Sequence, residues 1–269
     1  MSGKKKYRID FLYRPGTTMS DTQALKLVKE LRYVAGGCFD VLPEYQCLLP
    51  DREALFDKVI VVARRPDGRA GAFTSTVLIP VEGVGEVMHM GLTCVHPEDR
   101  GQGLTHKLSF KLMTQYILKH RGVREFWISN VACVLSSLGS IALNFGNVYP
   151  SPYNPNPPSD QHLQIARTID RYYRKDVAIN DDAVFDPKHF VFRGSVRGGP
   201  FHKSTRDKSF YHRYDEVNDF YNGIMDIDNG DEVIQVGTMG PRTVLSYIAR
   251  RRKSPRAYSR PNTASNLHV

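Results

Sequence analysis

The chain has 269 residues, 41% of them hydrophobic, and carries 37 Lys and Arg against 28 Asp and Glu for a formal charge of +9. That composition supports a sizeable buried core, as one large or two small domains. No apolar run reaches the roughly 18 residues that a membrane-spanning helix needs, so no membrane partner is expected.

The opening Met1-Ser-Gly-Lys-Lys-Lys leads into a mixed segment without a signal-like apolar stretch, which predicts a soluble, cytoplasmic protein. The charge is unevenly placed. Residues 1–150 hold 19 basic and 14 acidic side chains, residues 151–240 hold 11 and 14, and residues 241–269 hold seven and none. Residues 250–269 are therefore expected to be a basic tail, disordered from about residue 254 onward because too little apolar content remains to pack. A run of this kind is more often a solvated terminus than a nucleic-acid arm, and nucleic-acid contact or a nuclear location is its weaker reading. Cys38, Cys47, Cys94 and Cys133 show no Cys-x-x-Cys spacing and sit inside apolar patterns. They read as buried free thiols, with no metal site and no disulfide framework.

In chain order, Tyr7–Tyr13 is expected to form a first strand. Ser20 caps a helix running to about Phe39, with Ala24, Leu25, Leu27, Val28, Leu31 and Val34 at i, i+3, i+4 spacing. A loop through Pro43–Pro50 and a short helix near Asp51–Asp57 follow. Two strands, 58–64 and 71–79, flank Pro66-Asp-Gly, a hairpin signal. A strand over Glu86–Val95 precedes a helix over Gly103–His120 that repeats Leu104, Leu108 and Leu112 at i+4. Phe126–Ala132 reads as a buried strand. Pro150–Pro158 is too proline-rich for regular structure. Beyond it come a helix around Leu163–Tyr173, strands at His189–Val196 and Glu232–Met239, and a helix at Tyr214–Met225 between them. Asp226-Ile-Asp-Asn-Gly-Asp looks like a calcium loop but has Gly237 where a bidentate Glu is required, so it is read as a turn.

The most informative stretch is Val95-His-Pro-Glu-Asp-Arg-Gly-Gln-Gly-Leu-Thr105, a glycine-rich turn between a strand and a helix. Such a turn points successive N–H groups at one spot, and the helix start adds its own unpaired donors there. The ligand expected is a phosphate. A P-loop is excluded because no Gly-Lys-Ser/Thr follows a four-residue gap. A dinucleotide fingerprint is excluded because the third glycine and the acidic residue ending a second strand are missing.

What remains resembles the loop of the GNAT superfamily of acyl-CoA N-acyltransferases, whose signature is Arg/Gln-x-x-Gly-x-Gly/Ala after a strand ending Val-x-Pro. Val95, Pro97, Arg100 and Gly103 match, while Thr105 stands where the family has Gly or Ala and is expected to cap the helix start. The element order over residues 7–149 resembles that fold as well. The resemblance implies an α/β (α+β) protein with a central mixed, mostly antiparallel sheet flanked by helices, and a C-terminal elaboration. Residues 7–150 would be the acyl-CoA-binding core, 151–249 an elaboration completing the sheet and the acceptor side, and 250–269 the tail.

The resemblance further implies acetyl-CoA, or another acyl-CoA, as cosubstrate and no metal. Backbone groups of Cys94 and Val95 would pair with the pantetheine arm, and Arg100, Gly101, Gln102, Gly103, Leu104 and Thr105 would cradle the pyrophosphate. An alkylammonium with a pKa of about 10.4 is only ~0.1% neutral near pH 7.4, so a base is expected. His89, six residues before Val95, is the candidate because imidazole titrates near neutrality; a core histidine is the competing reading. Glu86 is the reserve base, through a water. In the family register Asn144 stands where a tyrosine usually protonates the leaving thiol. An amide cannot do that, so Asn144 is assigned to the cofactor side and Tyr149 becomes the substitute acid. The expected activity is N-acetylation of a small-molecule amine by a monomer or homodimer. The alternatives are a CoA-binding or nucleic-acid-associated protein without acyl transfer, and a protein lysine or N-terminal acetyltransferase.

Overall fold

The computed structural model describes residues 6–121 and 124–253. The chain is α/β, with mostly antiparallel strands flanked by helices. It divides into two compact units, one ending at Phe126 and taking in Gly240–Val244, the other running Trp127–Met239 and on from Leu245.

In the first unit β1 (Arg8–Tyr13) lies antiparallel to β2 (Lys58–Arg64), with Arg8 opposite Arg64 and Tyr13 opposite Val59. Between them come a single turn, α1 (Pro15–Thr18), and α2 (Asp21–Gly36). Ser20 starts α2 through a reciprocal capping box, its Oγ accepting from Gln23 N at 3.3 Å while Gln23 Oε1 accepts from Ser20 N at 3.0 Å. The helix stops at Gly36, three residues short of the expected end, because two successive glycines give it little reason to continue. Ala24, Leu27, Val28, Leu31 and Val34 are buried against Ile60, Val62, Phe73 and Cys94; Leu25, counted in the same stripe, is 39% exposed. Burying each large side chain in this face contributes about 1.5–3 kcal/mol. Two single 3-10 turns, Gln46–Leu48 and Glu53–Leu55, replace the expected short helix.

β3 (Ala70–Val81) returns antiparallel to β2 around the Pro66-Asp-Gly turn, where Gly68 sits at φ +86°. β4 (Gly85–Val95) pairs antiparallel with β3 and carries a bulge: Thr74 faces Thr93 and Thr76 faces Met90, so Ser75 stands opposite both Gly91 and Leu92. A 3-10 turn, Pro97–Asp99, leads to α3 (Leu104–Tyr116), which buries Leu104, Leu108, Leu112, Met113 and Tyr116. The helix was expected to reach His120; its last turn instead widens into a π turn over Ile117–Arg121.

The second unit holds β5 (Phe126–Ala132, from Trp127), α4 (Leu135–Asn144), β6 (Gly146–Tyr149), α5 (Asp160–Tyr172), β7 (Val184–Asp186), β8 (Val191–Arg193), α6 (Asp215–Asn222) and β9 (Glu232–Met239). Its strands run in the order β5-β9-β8-β7, with β6 also on β9. The short strands β6 and β7 were not anticipated. The proline-rich stretch is a loop inside the second unit, in which α4 and β6 join the core formed by Val217, Tyr221 and Val233 and the β9 ladder. The acidic 226–231 segment is a turn whose carboxylates already have donors: Asp228 Oδ1 accepts from Ser204 Oγ at 2.9 Å, and Asp231 Oδ1 from Gly194 N at 2.9 Å.

α7 (Pro241–Lys253) follows β9. Residues 250–253, placed in the tail from composition, are therefore helical backbone, and the disorder expected from 254 onward lies outside the described residues. Among the described residues no helix is long and apolar enough to cross a membrane, and no group of three or more His, Cys, Asp or Glu side chains could hold a metal ion.

Candidate active site

The glycine-rich loop has the geometry of an anion cradle. Gly101 and Gly103 sit in the left-handed region at φ +76° and +67°, a conformation that costs L residues about 1–2 kcal/mol. No heavy atom lies within 4 Å of the position a Cβ would take on either residue, so the space over the loop is open. α2 and α5 begin with serine capping boxes, at Ser20 and Ser159. α3 begins at Gly103 with no side-chain cap, and its first N–H groups need a partner from outside the helix. Thr105, expected to cap, is the second residue inside the helix, and its carbonyl accepts from Ser109 Oγ at 2.9 Å. Arg100 is exposed and donates Nη2 to Gly37 O at 3.4 Å, which ties the loop to the end of α2. Leu104 is buried, Gln102 is half-buried, and Cys94 is 3% exposed at the end of β4. A phosphate group fits this loop, which has left-handed glycines, open space around them and a helix start without a side-chain cap.

The four thiols differ from one another. Cys47, Cys94 and Cys133 are buried, as expected, but Cys38 is half-buried, with Sγ 3.3 Å from Val95 O. A hydrogen bond with the Cys94 thiol lowers the Cys38 pKa to about 6, against burial and with help from the Val95 backbone and Arg100.

The proposed base is in an unfavourable place. His89 lies on β4 opposite Val77, 1% exposed. Burial, and then the charge of Lys58, push its pKa down to about 3. A ring that resists protonation so strongly is a weak proton acceptor near neutrality, so the core-histidine reading explains His89 better than the base reading. Glu86 is more accessible but engaged: Tyr116 Oη donates to Oε1 at 2.7 Å and Arg14 Nη2 donates to Oε2.

The Gln46 segment, in the loop before β2, packs on the β4 bulge. Gln46 is 3% exposed and sits at φ +48°, an unusual backbone for a residue that is not glycine. Its Oε1 accepts from Ser75 Oγ at 3.2 Å, and its Nε2 donates to Tyr45 Oη. A Cβ on Gly91 would stand 2.2 Å from Gln46 Oε1. The β4 bulge therefore needs glycine because the Gln46 amide occupies the space above it.

Asn144 and Tyr149 belong to the second unit. Asn144, the last residue of α4, donates Nδ2 to Ser140 O at 2.9 Å, while its buried Oδ1 has no partner. Tyr149 ends β6 and donates Oη to Lys188 O at 3.4 Å, and burial raises its pKa. A tyrosine made less acidic is a poorer proton donor, which weakens the substitute-acid assignment. Asp99 and Arg65, which brace the loop from beneath, were also missed, since nothing in their spacing marks them as partners.

No family model matches the chain, and no curated protein does. Among solved structures the chain is similar to three described as follows. One, from Desulfovibrio desulfuricans, is an acetyltransferase of the GNAT family, at 15% identity over 46% of this chain and 74% of that chain, with a TM-score of 0.33. Another, from Klebsiella pneumoniae subsp. pneumoniae, is an acyl-CoA N-acyltransferase, at 18% identity over 56% and 91%, TM-score 0.32. The third, from Escherichia coli, is a GNAT family N-acetyltransferase in complex with CoA, at 13% identity over 49% and 66%, TM-score 0.28. The solved structures this chain is similar to are thus of the same GNAT type that its glycine-rich loop resembles.

Proposed function

We propose that this protein is an acyl-CoA-dependent N-acyltransferase, most simply an acetyltransferase, acting in the cytoplasm on the amine of a small molecule. The observation that carries the reading is the uncapped start of α3 behind two left-handed glycines and Arg100. Residues 100–105 would hold the pyrophosphate of the acyl-CoA, and the backbone at Cys94–Val95 its pantetheine arm. The acyl-CoA supplies an activated thioester; a neutral amine attacks its carbonyl carbon, and the carbon–sulfur bond breaks with the electron pair leaving on sulfur. A thiol pKa near 8.5 makes that sulfur a tolerable leaving group without a strong acid. The amine proton passes to solvent, with Glu86 as the reachable carboxylate, because His89 is too deeply buried to take it. The test is thermal melting with CoA, followed by a screen of amines with acetyl-CoA that reads free thiol. Stabilisation by CoA together with amine-dependent thiol release is the expected result.

A second reading, CoA binding without acyl transfer, is favoured by two particulars: His89 at 1% exposure and the amide of Asn144 where the resemblance expects a tyrosine. CoA stabilisation with no thiol release from any amine would select it.

A further inference from the structure

We propose that Asp99 and Arg65 are positioning residues of the anion loop: a buried ion pair that fixes the backbone entering Arg100–Gly103 and neutralises a carboxylate that would otherwise oppose the ligand's phosphates. The ligand in this proposal rests on the CoA reading above; the positioning of the loop does not.

The pair is built with care by three separate parts of the first unit. Asp99, the residue before Arg100, is fully buried. Its Oδ2 accepts from Arg65 Nη2 at 2.6 Å and from Arg65 Nε at 2.8 Å, and its Oδ1 accepts from Tyr7 Oη at 2.6 Å. Tyr7 precedes β1 and Arg65 follows β2. β3 makes room: a Cβ on Gly71 would stand 2.6 Å from Asp99 Oδ2, and Gly71 O instead accepts from His96 N at 2.9 Å. The Arg65 side chain is 7% exposed, and its Nη2 also meets His96 Nδ1 at 3.2 Å and the outer carboxylate of Glu98 at 3.0 Å. One carboxylate thereby joins β1, the β2–β3 turn and β3 to the residue from which the loop departs.

Chemistry makes the pairing necessary. The loop's N–H groups and the start of α3 attract anions, so a bare buried carboxylate at its base would work against its ligand. The bidentate guanidinium cancels that charge, and the hydrogen bond with Asp99 raises the Arg65 pKa, so the cation persists at every relevant pH. A purely structural ion pair would be expected to stabilise the fold without changing the relation between ligand affinity and turnover. This one sits where its loss alters both the loop's backbone and its field.

The test uses the full chain as wild type, Arg65→Met, Asp99→Asn, Tyr7→Phe and the double variant Arg65→Met/Asp99→Asn. CoA affinity is measured by calorimetry, KM and kcat by thiol release, and amide exchange at residues 100–105 without ligand. Arg65→Met is expected to raise the Kd for CoA roughly 5- to 30-fold, as breaking a coupled network does, and to raise KM for acyl-CoA while kcat holds. The double variant should bind better than Arg65→Met, because the uncompensated charge has gone. Loop exchange should quicken in each single variant. Unchanged Kd in folded variants, a double variant no better than Arg65→Met, or unchanged loop exchange overturns the proposal. Should Arg65→Met fail to fold, Asp99→Asn and Tyr7→Phe carry the same test. If wild type itself ignores CoA, the functional reading fails and loop exchange alone decides the positioning claim.

Discussion

Replacing Gly103 separates the backbone requirement of the loop from its electrostatic one. Gly103 caps α3 at φ +67° and ψ +27°, and a Cβ there would meet nothing within 4 Å. The steric cost of any side chain is thus the left-handed backbone alone, about 1–2 kcal/mol and least for Asn or Asp. Gly103→Asn and Gly103→Asp share that cost and differ by one charge. A carboxylate about 4–6 Å from a phosphate oxygen, at an effective dielectric of ~20, is repelled by about 3–4 kcal/mol, which weakens CoA binding roughly 100- to 1,000-fold. Wild type with CoA at a hundred times its Kd gains about 2.7 kcal/mol, or a rise of roughly 5–10 °C in Tm for a chain of this size. Gly103→Asn should keep most of that rise and Gly103→Asp should lose it, while the two apoproteins melt within a few degrees of each other. Equal loss in both variants would mean that shape, and not charge, governs the loop. Retention in both would refute an anion site there.

Folding stability against pH tests two of the buried titratable groups, His89 and Glu232. His89 stays neutral in the fold down to about pH 3 while the unfolded chain binds that proton near 6.5, so its contribution is lost as pH falls through that window, by ~1.4 kcal/mol per unit. Glu232, raised by burial to about 7 against the 4.5 of an exposed glutamate and bonded by Ser195 Oγ at 2.6 Å, acts in the opposite sense and loses stability as pH rises. Compared with wild type, urea melts between pH 4.5 and 6.5 should therefore lean toward losing stability with rising pH in His89→Gln and with dropping pH in Glu232→Gln; wild-type slopes in both variants would contradict the burial argument. Iodoacetamide at pH 7 should alkylate Cys38, with its pKa near 6, well before Cys47 or Cys133, whose pKa values burial raises to about 11 and 12; peptide mass mapping gives the order. Across acceptor amines, kcat/KM should rise with pH up to each amine's own pKa, and a common plateau near pH 7 would instead reveal an enzyme base of matched pKa.

Local rules made the fold of the first unit legible. Ser20 and Gln23 announce a capping box, Pro66-Asp-Gly announces a hairpin, and leucines four apart announce α3; each rests on neighbours in sequence. The short strand β6 is set by its pairing with β9 far along the chain, and no local pattern encodes it, whereas β7 pairs with the adjacent β8. The same contrast runs through the site. A phosphate cradle is made of backbone, and backbone shape is dictated by glycine, so Arg100–Gly103 stood out. The chemistry of His89 is set by burial and by the charge of Lys58 on β2, which no local pattern shows. Asp99 received no role from the sequence, because its partners Tyr7 and Arg65 come from beside β1 and β2.

That difference bears on how the chain is constrained. The glycine-rich loop relies on N–H groups and open space, which tolerate most side chains and need only glycine at two positions, so it constrains the chain lightly and its motif stays recognisable. The β3–β4 bulge relies on an interlocked set, Tyr45, Gln46, Ser75 and Gly91, in which the left-handed backbone of Gln46 and the missing Cβ of Gly91 presuppose each other. Gly91→Ala would force the Gln46 amide aside or press on Ser75 O, 2.9 Å from the new carbon, and strain of this kind is stored where a binding surface has to hold one shape. Gly91→Ala is therefore expected to loosen the β3–β4 bulge and lower Tm, and an unchanged Tm would refute the packing argument.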